Sequence, residues 1–239
     1  MADQINSKLT HLPTYNTNIP EPQQPSAVRI IQPANGNPGP LGLFAFAVTT
    51  IIANIYNVGA GVPAGGGGSI LMGFALWYGG IVQILAGMWA MKVGNTFEAT
   101  AFSSFGAYWA AYGYMFMPGT MVKESYANLP PETLQNATGI FILVWAFLAI
   151  ILSVGTTRST VATVAMFVFL DIHLLFMAGN EFGHYPESAW PKKIGSVCGI
   201  ITALLAFYNG AAALWLPSNS HIILPVGPFN NHNDIHSVV

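Results

Sequence analysis

The residues able to do chemistry in this chain stand inside apolar runs. Thr49, Thr50, Asn54 and Asn57 interrupt the run that begins at Leu41, and Gln83 interrupts the next. Glu98 opens a third run and is followed by Phe105, Tyr108 and Tyr112; Asp171 and His173 stand in a fifth, Tyr208 and Asn209 in a sixth. At about 100° per helical residue, Phe46, Thr50, Asn54 and Asn57 share one face, so an aromatic ring lines up with hydroxyl and amide groups. Glu98, Phe105 and Tyr112 share a face at seven-residue spacing, with Tyr108 beside them. Asp171 and His173 lie about 200° apart around a helix and do not point at one partner. Such polar sets can hold a small solute, and they serve equally well as hydrogen bonds between helices. No Lys or Arg stands deep in any run. A carboxylate crossing here would depend on hydroxyls, amides and helix N-termini, or cross as the neutral acid, which favours permeation over tight capture.

An enzyme is not indicated. The chain has no Gly-x-Ser-x-Gly elbow and no paired metal ligands within the runs, so no catalytic residue, metal or cofactor is expected. His232 and His236 are four apart but fall in a polar tail and read as solvated. Gly65–Gly68 lacks the Lys and Ser/Thr of a phosphate loop and reads as a flexible interhelical loop. Cys198, the single cysteine, reads as a small packing residue. A net charge of −2 with no basic run removes nucleic acid as a partner.

Helices in a lipid bilayer are the elements that could position these residues. Only 7% of residues are charged and 53% are hydrophobic, against about 25% charged in a soluble domain. Mean hydropathy is +0.51. Six apolar runs stand out: Leu41 to Val58, Ile70 to Met91, Phe97 to Met117, Gly139 to Val154, Thr160 to Gly179 and Ile194 to Leu216. Each is near the ~20 residues that cross a ~30 Å hydrocarbon core. A helix pairs every backbone group inside its own segment, so the expected fold is an all-α membrane protein of six transmembrane helices. The expected organisation is a disordered polar tail over 1–36, a six-helix transmembrane domain over 37–217 and a C-terminal tail over 218–239. No secretory signal is visible in the first tail.

Punctuation and packing signals refine this picture. Arg29, Lys92 and Arg158 would face one side and Lys123, Lys192 and Lys193 the other, so charge does not set the orientation. Asn136-Ala-Thr138 is a formal glycosylation sequon that abuts the fourth run. Small residues recur every four positions at Ala99, Ser103, Ala107 and Ala111, at Gly195, Gly199 and Ala203, and at Ala45, Thr49 and Ala53. These stripes indicate close helix contacts, within one chain or between chains. Pro38 and Pro40 should prevent an early helix start and leave Leu41 near the head of the first span. Gly42 then allows close approach of a neighbour, and Asn37 can cap or bind. Asn95 and Glu98 have capping-box spacing, which competes with a role for Glu98 in moving protons. An ionisable group deep in a span is functional by default, which adds Asp171 and His173 as proton-coupling candidates.

Several segments together carry a family resemblance. "NPGPLGLFAFAVTTIIANIYNVG" resembles the Asn-Pro-x-Pro-Leu-Gly-Leu signature of the acetate uptake transporter family, which includes bacterial acetate–succinate permeases and fungal acetate permeases. "WYGGIVQILAGMW", "GNTFEATAFSSFGAYW" and "ILPVGP" continue it in order, from about Asn37 to Gly227. The long polar N-terminal tail resembles the fungal members. The resemblance implies six transmembrane helices around a narrow pore in each subunit, a homo-hexameric ring, and transport of acetate and other short carboxylates. A multi-pass position in the plasma membrane is expected. The family's constriction of Phe, Tyr and Leu falls on Phe46, Phe105 and Leu170 by motif position. The pore entrance falls near Asn37, Leu41 and Gly42, and Thr49, Thr50, Asn54, Asn57, Gln83 and Tyr108 are the further substrate-binding candidates. Phe105 departs from the pattern by losing the hydroxyl; Glu98 and His173 depart from it by adding ionisable groups. Two other readings stay open at this point: movement of a neutral solute such as ammonia, and a membrane sensor of acid availability with little flux.

Overall fold

The computed structural model describes residues 35–63, 68–187 and 189–227, which are helical with no strand. The tail expected to be disordered (residues 1–36, apart from the last two), most of the glycine loop Gly65–Gly68, and His232 and His236 lie outside the described residues. Helix α1 covers Gly39–Val58. The next rod is built from α2 (Gly68–Leu76), a π-helical segment (Trp77–Val82) and α3 (Gln83–Lys92). Helix α4 follows (Thr96–Phe116), then the short α5 (Val122–Ser125), α6 (Glu132–Gly155), α7 (Val161–Phe182) and α8 (Trp190–Leu214). Among the described residues, five rods are long and apolar enough to cross a membrane: Gly39–Val58, Ile70–Lys92, Glu132–Gly155, Val161–Phe182 and Trp190–Leu214. Helix α4 matches them in length at 21 residues but carries Glu98 and several Ser, Thr, Gly and Tyr residues.

Two expected helix starts are corrected. Leu41 stands near the head of α1 as expected: the helix begins at Gly39 with Pro40 in its first turn. A first-turn N–H has no partner in the helix, so its absence in proline costs little there. Helix α6 begins at Glu132 instead of Gly139, and α8 at Trp190 instead of Ile194. Both early turns are polar, "ETLQNAT" and "WPKK". Hydropathy marks the apolar part of a helix and misses a polar first turn.

The helices close into a ring. Helix α8 packs on α1 and α7, α7 on α6, and α1 on the π-helical segment and α3. The α2–α3 rod packs on α4, and α4 returns to α6. Rings of Phe105 and Tyr108 on α4 meet Phe141 and Trp145 on α6, with centroids 5.3–6.4 Å apart. The small-residue stripes are used within the chain. A Cβ on Gly79 would come within 2.6 Å of Thr49 Oγ1, and one on Gly199 within 2.4 Å of Asn54 Nδ2. Ala45, Thr49, Ala99 and Ala203 are fully buried. These stripes therefore hold α1, α3, α4, α7 and α8 together and give no independent reason for an oligomer. Ala107 alone among those residues is exposed. The outward faces are apolar: Ile140, Leu143, Val144, Phe147, Ile151 and Val154 form one exposed stripe along α6. Their three- and four-residue spacing fits a helix that faces lipid or another apolar surface.

Candidate functional site

Two cavities enter the ring from opposite ends. The first, about 240 Å³, is reached from the start of α1 and α4 and the end of α8; it is lined by Leu43, Phe46, Gln83, Glu98, Phe102, Phe105, Leu170 and Asn209, among others. The second, about 350 Å³, is reached from the end of α1 and α4 and the start of α8; its lining includes Asn54, Asn57, Tyr108, Tyr112, His173, Glu181, Glu187 and Lys192. Among the described residues, none lines both. On α4 the lining passes from Phe105 to Tyr108, and on α7 from Leu170 to His173. Three residues of helix rise about 4.5 Å, so one turn separates the two spaces.

The layer at that turn is apolar and tight. Phe46, Phe105 and Leu170 are 6%, 5% and 3% exposed and belong to one apolar cluster. The Phe46 and Phe105 rings are tilted with centroids 5.6 Å apart. Neither ring offers a hydrogen bond, so an ion reaching this layer must shed water there.

Buried amides stand on either side of the layer. The π-helical segment inserts an extra residue into the ladder of its rod, and Gln83 follows directly. Gln83 is 1% exposed, lines the first cavity, and neither Nε2 nor Oε1 has a hydrogen-bond partner. An unpaired buried amide costs about 1–3 kcal/mol, which a polar solute in the cavity would offset. Asn54, lining the second cavity, donates from Nδ2 to the Thr50 carbonyl at 2.8 Å and leaves Oδ1 unpaired. Glu98 lines the first cavity. Its N–H donates to Asn95 Oδ1 at 3.0 Å, which is half of a capping box. The return bond is missing, since the Asn95 N–H goes to the Ala90 carbonyl at 2.9 Å. The Glu98 carboxylate instead lies against Gly39 at the head of α1, where a Cβ would be 3.1 Å from it.

Other residues singled out in the sequence are placed elsewhere. Asn37 Oδ1 accepts the Gly39 N–H at 2.9 Å, in a local turn one residue ahead of the Pro38 N-cap position of α1. Leu41 is 46% exposed and Gly42 is pressed against the Phe102 ring; neither lines a cavity. Thr49 is buried against Gly79 with its hydroxyl on the Ala45 carbonyl at 3.0 Å. Thr50 is buried between the cavities and lines neither. Asp171 lines neither cavity and accepts from Ser153 Oγ on α6 at 2.6 Å. His173 lines the second cavity with Nδ1 held 2.8 Å from the Gly195 carbonyl. The two side chains thus face different partners, as their spacing requires.

Sequence reasoning missed Lys192. Assigned to a loop, it sits in the first turn of α8, is 8% exposed, lines the second cavity and is ion-paired with Glu187. A fixed cation is therefore present at one end of the path. The available signal was "ESAWPKK", an acid followed by a proline-opened helix carrying lysine in its first turn.

Apolar membrane-spanning rods in a ring, with a buried layer between two opposed cavities, define a multi-pass helical membrane protein. The chain belongs to the GPR1/FUN34/yaaH family, whose profile matches residues 21–231. It is 35% identical over 233 residues to acetate permease A of Emericella nidulans, covering 94% of this chain and 76% of that one. It is 34% identical over 173 residues to the succinate-acetate/proton symporter SatP of Escherichia coli K12, covering 71% of this chain and 86% of that one. The solved structure of the bacterial acetate channel SatP superposes with a TM-score of 0.69 at 27% identity, covering 81% of this chain and all of that one.

Proposed function

We propose that this protein is a channel or proton-linked transporter for acetate and other short-chain carboxylates, acting in the plasma membrane, with α4 as its sixth span and six copies in a ring. The observation that carries the transport reading is the pair of opposed cavities separated by one turn at Phe46, Phe105 and Leu170, in a chain related to acetate permeases. The path runs through each subunit. A carboxylate enters a polar vestibule, meets the unpaired amide of Asn54 or Gln83, and crosses an apolar layer that favours the methyl group. Because Phe46, Phe105 and Leu170 offer no donor, crossing is fastest for the species that carries least water, the neutral acid or a briefly dehydrated anion. Glu98 is the proton-coupling candidate best placed to act, since it lines the first cavity without a capping partner for its carboxylate. Asp171, bound to Ser153, reads as a helix–helix contact.

Reconstitution tests this reading. Liposomes containing the purified chain should take up labelled acetate faster than empty liposomes, and unlabelled acetate should compete. Uptake equal to that of empty liposomes overturns transport and favours a sensing role. The same preparation should show a mass near six times the 25.5 kDa chain; an active monomer removes the ring from the proposal.

A further inference from the structure

Lys192 is a buried cation whose partner is exposed. The Lys192 side chain is 11% exposed and that of Glu187 is 59% exposed, and the two are ion-paired. The pair is therefore unequal. A buried ammonium needs an anion beside it, whereas an exposed carboxylate is solvated by water at little cost when it leaves. Glu187 can depart as long as another anion replaces it.

Glu187 is in effect a short carboxylate on a tether. Its terminal –CH₂–COO⁻ group has the same anionic end as acetate. The tether is the connection between α7 and α8, fixed near Glu187 by two contacts: His184 Nε2 lies 3.0 Å from Asn136 Oδ1 on α6, and the Ala189 N–H donates to the Pro186 carbonyl at 2.9 Å. Both members of the pair line the second cavity, together with Glu181 and Lys123, so the charged side chains among the described residues that line it are two acidic and two basic.

We propose that Lys192 captures the carboxylate of the transported acid, and that Glu187 holds this site between solutes as a built-in competitor. The proposal deepens the transport reading above and rests on it. A tethered competitor is present at the site at all times, so free acid displaces it only when the acid is concentrated. Capture is thereby kept weak, and the returning Glu187 releases the solute without ever leaving Lys192 unpaired.

The test is the concentration dependence of labelled acetate uptake by the full chain in liposomes, for wild type, Lys192→Gln, Lys192→Arg and Glu187→Gln, with a thermal melt of each. Lys192→Gln should raise the half-saturating acetate concentration by at least about tenfold, the scale of one charge-assisted contact. Lys192→Arg should restore it. Glu187→Gln should lower it, because the competitor is gone. Opposite signs are the mark of competition; a pair that merely braces the α7–α8 connection would shift both variants the same way and lower both melts. Shifts in the same direction, or no shift, in a wild type that transports acetate overturn this proposal alone. A wild type without acetate uptake overturns the transport reading and this proposal with it. Should Lys192→Gln fail to fold, Glu187→Gln decides: a lower half-saturating concentration supports the competitor, and an unchanged or higher one overturns it.

Discussion

The two cavities are built from different chemistry. The first is walled by Leu43, Phe46, Phe97, Phe102, Phe105, Met166, Phe167 and Leu170, with Glu98 the one charged residue among the described residues that line it. The second carries Lys123, Lys192, Glu181 and Glu187. Acetate has the same duality, a methyl group at one end and a carboxylate at the other. A charged vestibule sorts solutes by the carboxylate, and an aromatic one sorts them by what trails it. The layer between the cavities belongs to the aromatic side, since its three residues all line the first cavity. Discrimination by size should therefore respond to changes on that side, and capture to changes on the other.

The largest expected effect comes from carrying the chemistry of the charged end into the apolar layer. Leu170→Asp places a carboxylate where no partner is present. An ionised carboxylate there repels the crossing anion, and about 2.7 kcal/mol of added barrier corresponds to a hundredfold, so acetate uptake should fall by roughly that factor. The melt of the purified variant shows whether the fold survives. Uptake near wild type in a folded Leu170→Asp would mean that the layer is not on the path.

A smaller effect is expected from Glu98. An ionised carboxylate in the first cavity repels acetate, and protonation removes the repulsion, so wild-type uptake should rise as pH falls. Glu98→Gln removes the charge at every pH. It should raise uptake at neutral pH toward the low-pH value and flatten the profile, with little change in the melt because the backbone N–H at position 98 still donates to Asn95 Oδ1. A Glu98→Gln profile that tracks wild type would leave Glu98 structural.

The smallest effect belongs to Asp171→Asn. Asp171 lines neither cavity, and an amide can still accept from Ser153 Oγ, so the pH profile should be unchanged. Exchanging one charge-assisted hydrogen bond for a neutral one should lower the melt modestly, by an amount equivalent to about 1 kcal/mol. A flattened profile in this variant would move proton coupling from the aromatic end to the α6–α7 contact.

The spans and most of the polar lining were legible because lipid imposes a simple rule on sequence. An apolar run of about 20 residues reads as a helix, and a polar residue within it must have a reason. The shared face of Phe46, Asn54 and Asn57 follows from helical spacing alone, and these residues do turn inward toward the cavities. Lys192 was hidden because hydropathy ends a span where polarity begins, while α8 continues four residues further toward its start. The π-helical segment before Gln83 was hidden as well, since "WYGGIV" has no pattern that separates a π turn from an α turn. Asn37 could cap or bind on sequence grounds; the 2.9 Å bond to the Gly39 N–H settles its contact and could not be read from spacing.

The most direct measurement is the ratio of lactate to acetate uptake by Phe46→Ala in liposomes, compared with wild type and with Leu170→Ala. Removing the Phe46 ring opens the layer beside Phe105 without adding charge. The account predicts that both Ala variants fold, keep acetate uptake and admit lactate and succinate, so that the ratio rises. Folded variants that transport acetate with the wild-type ratio would contradict it, and would make Phe46 and Leu170 packing residues away from the path.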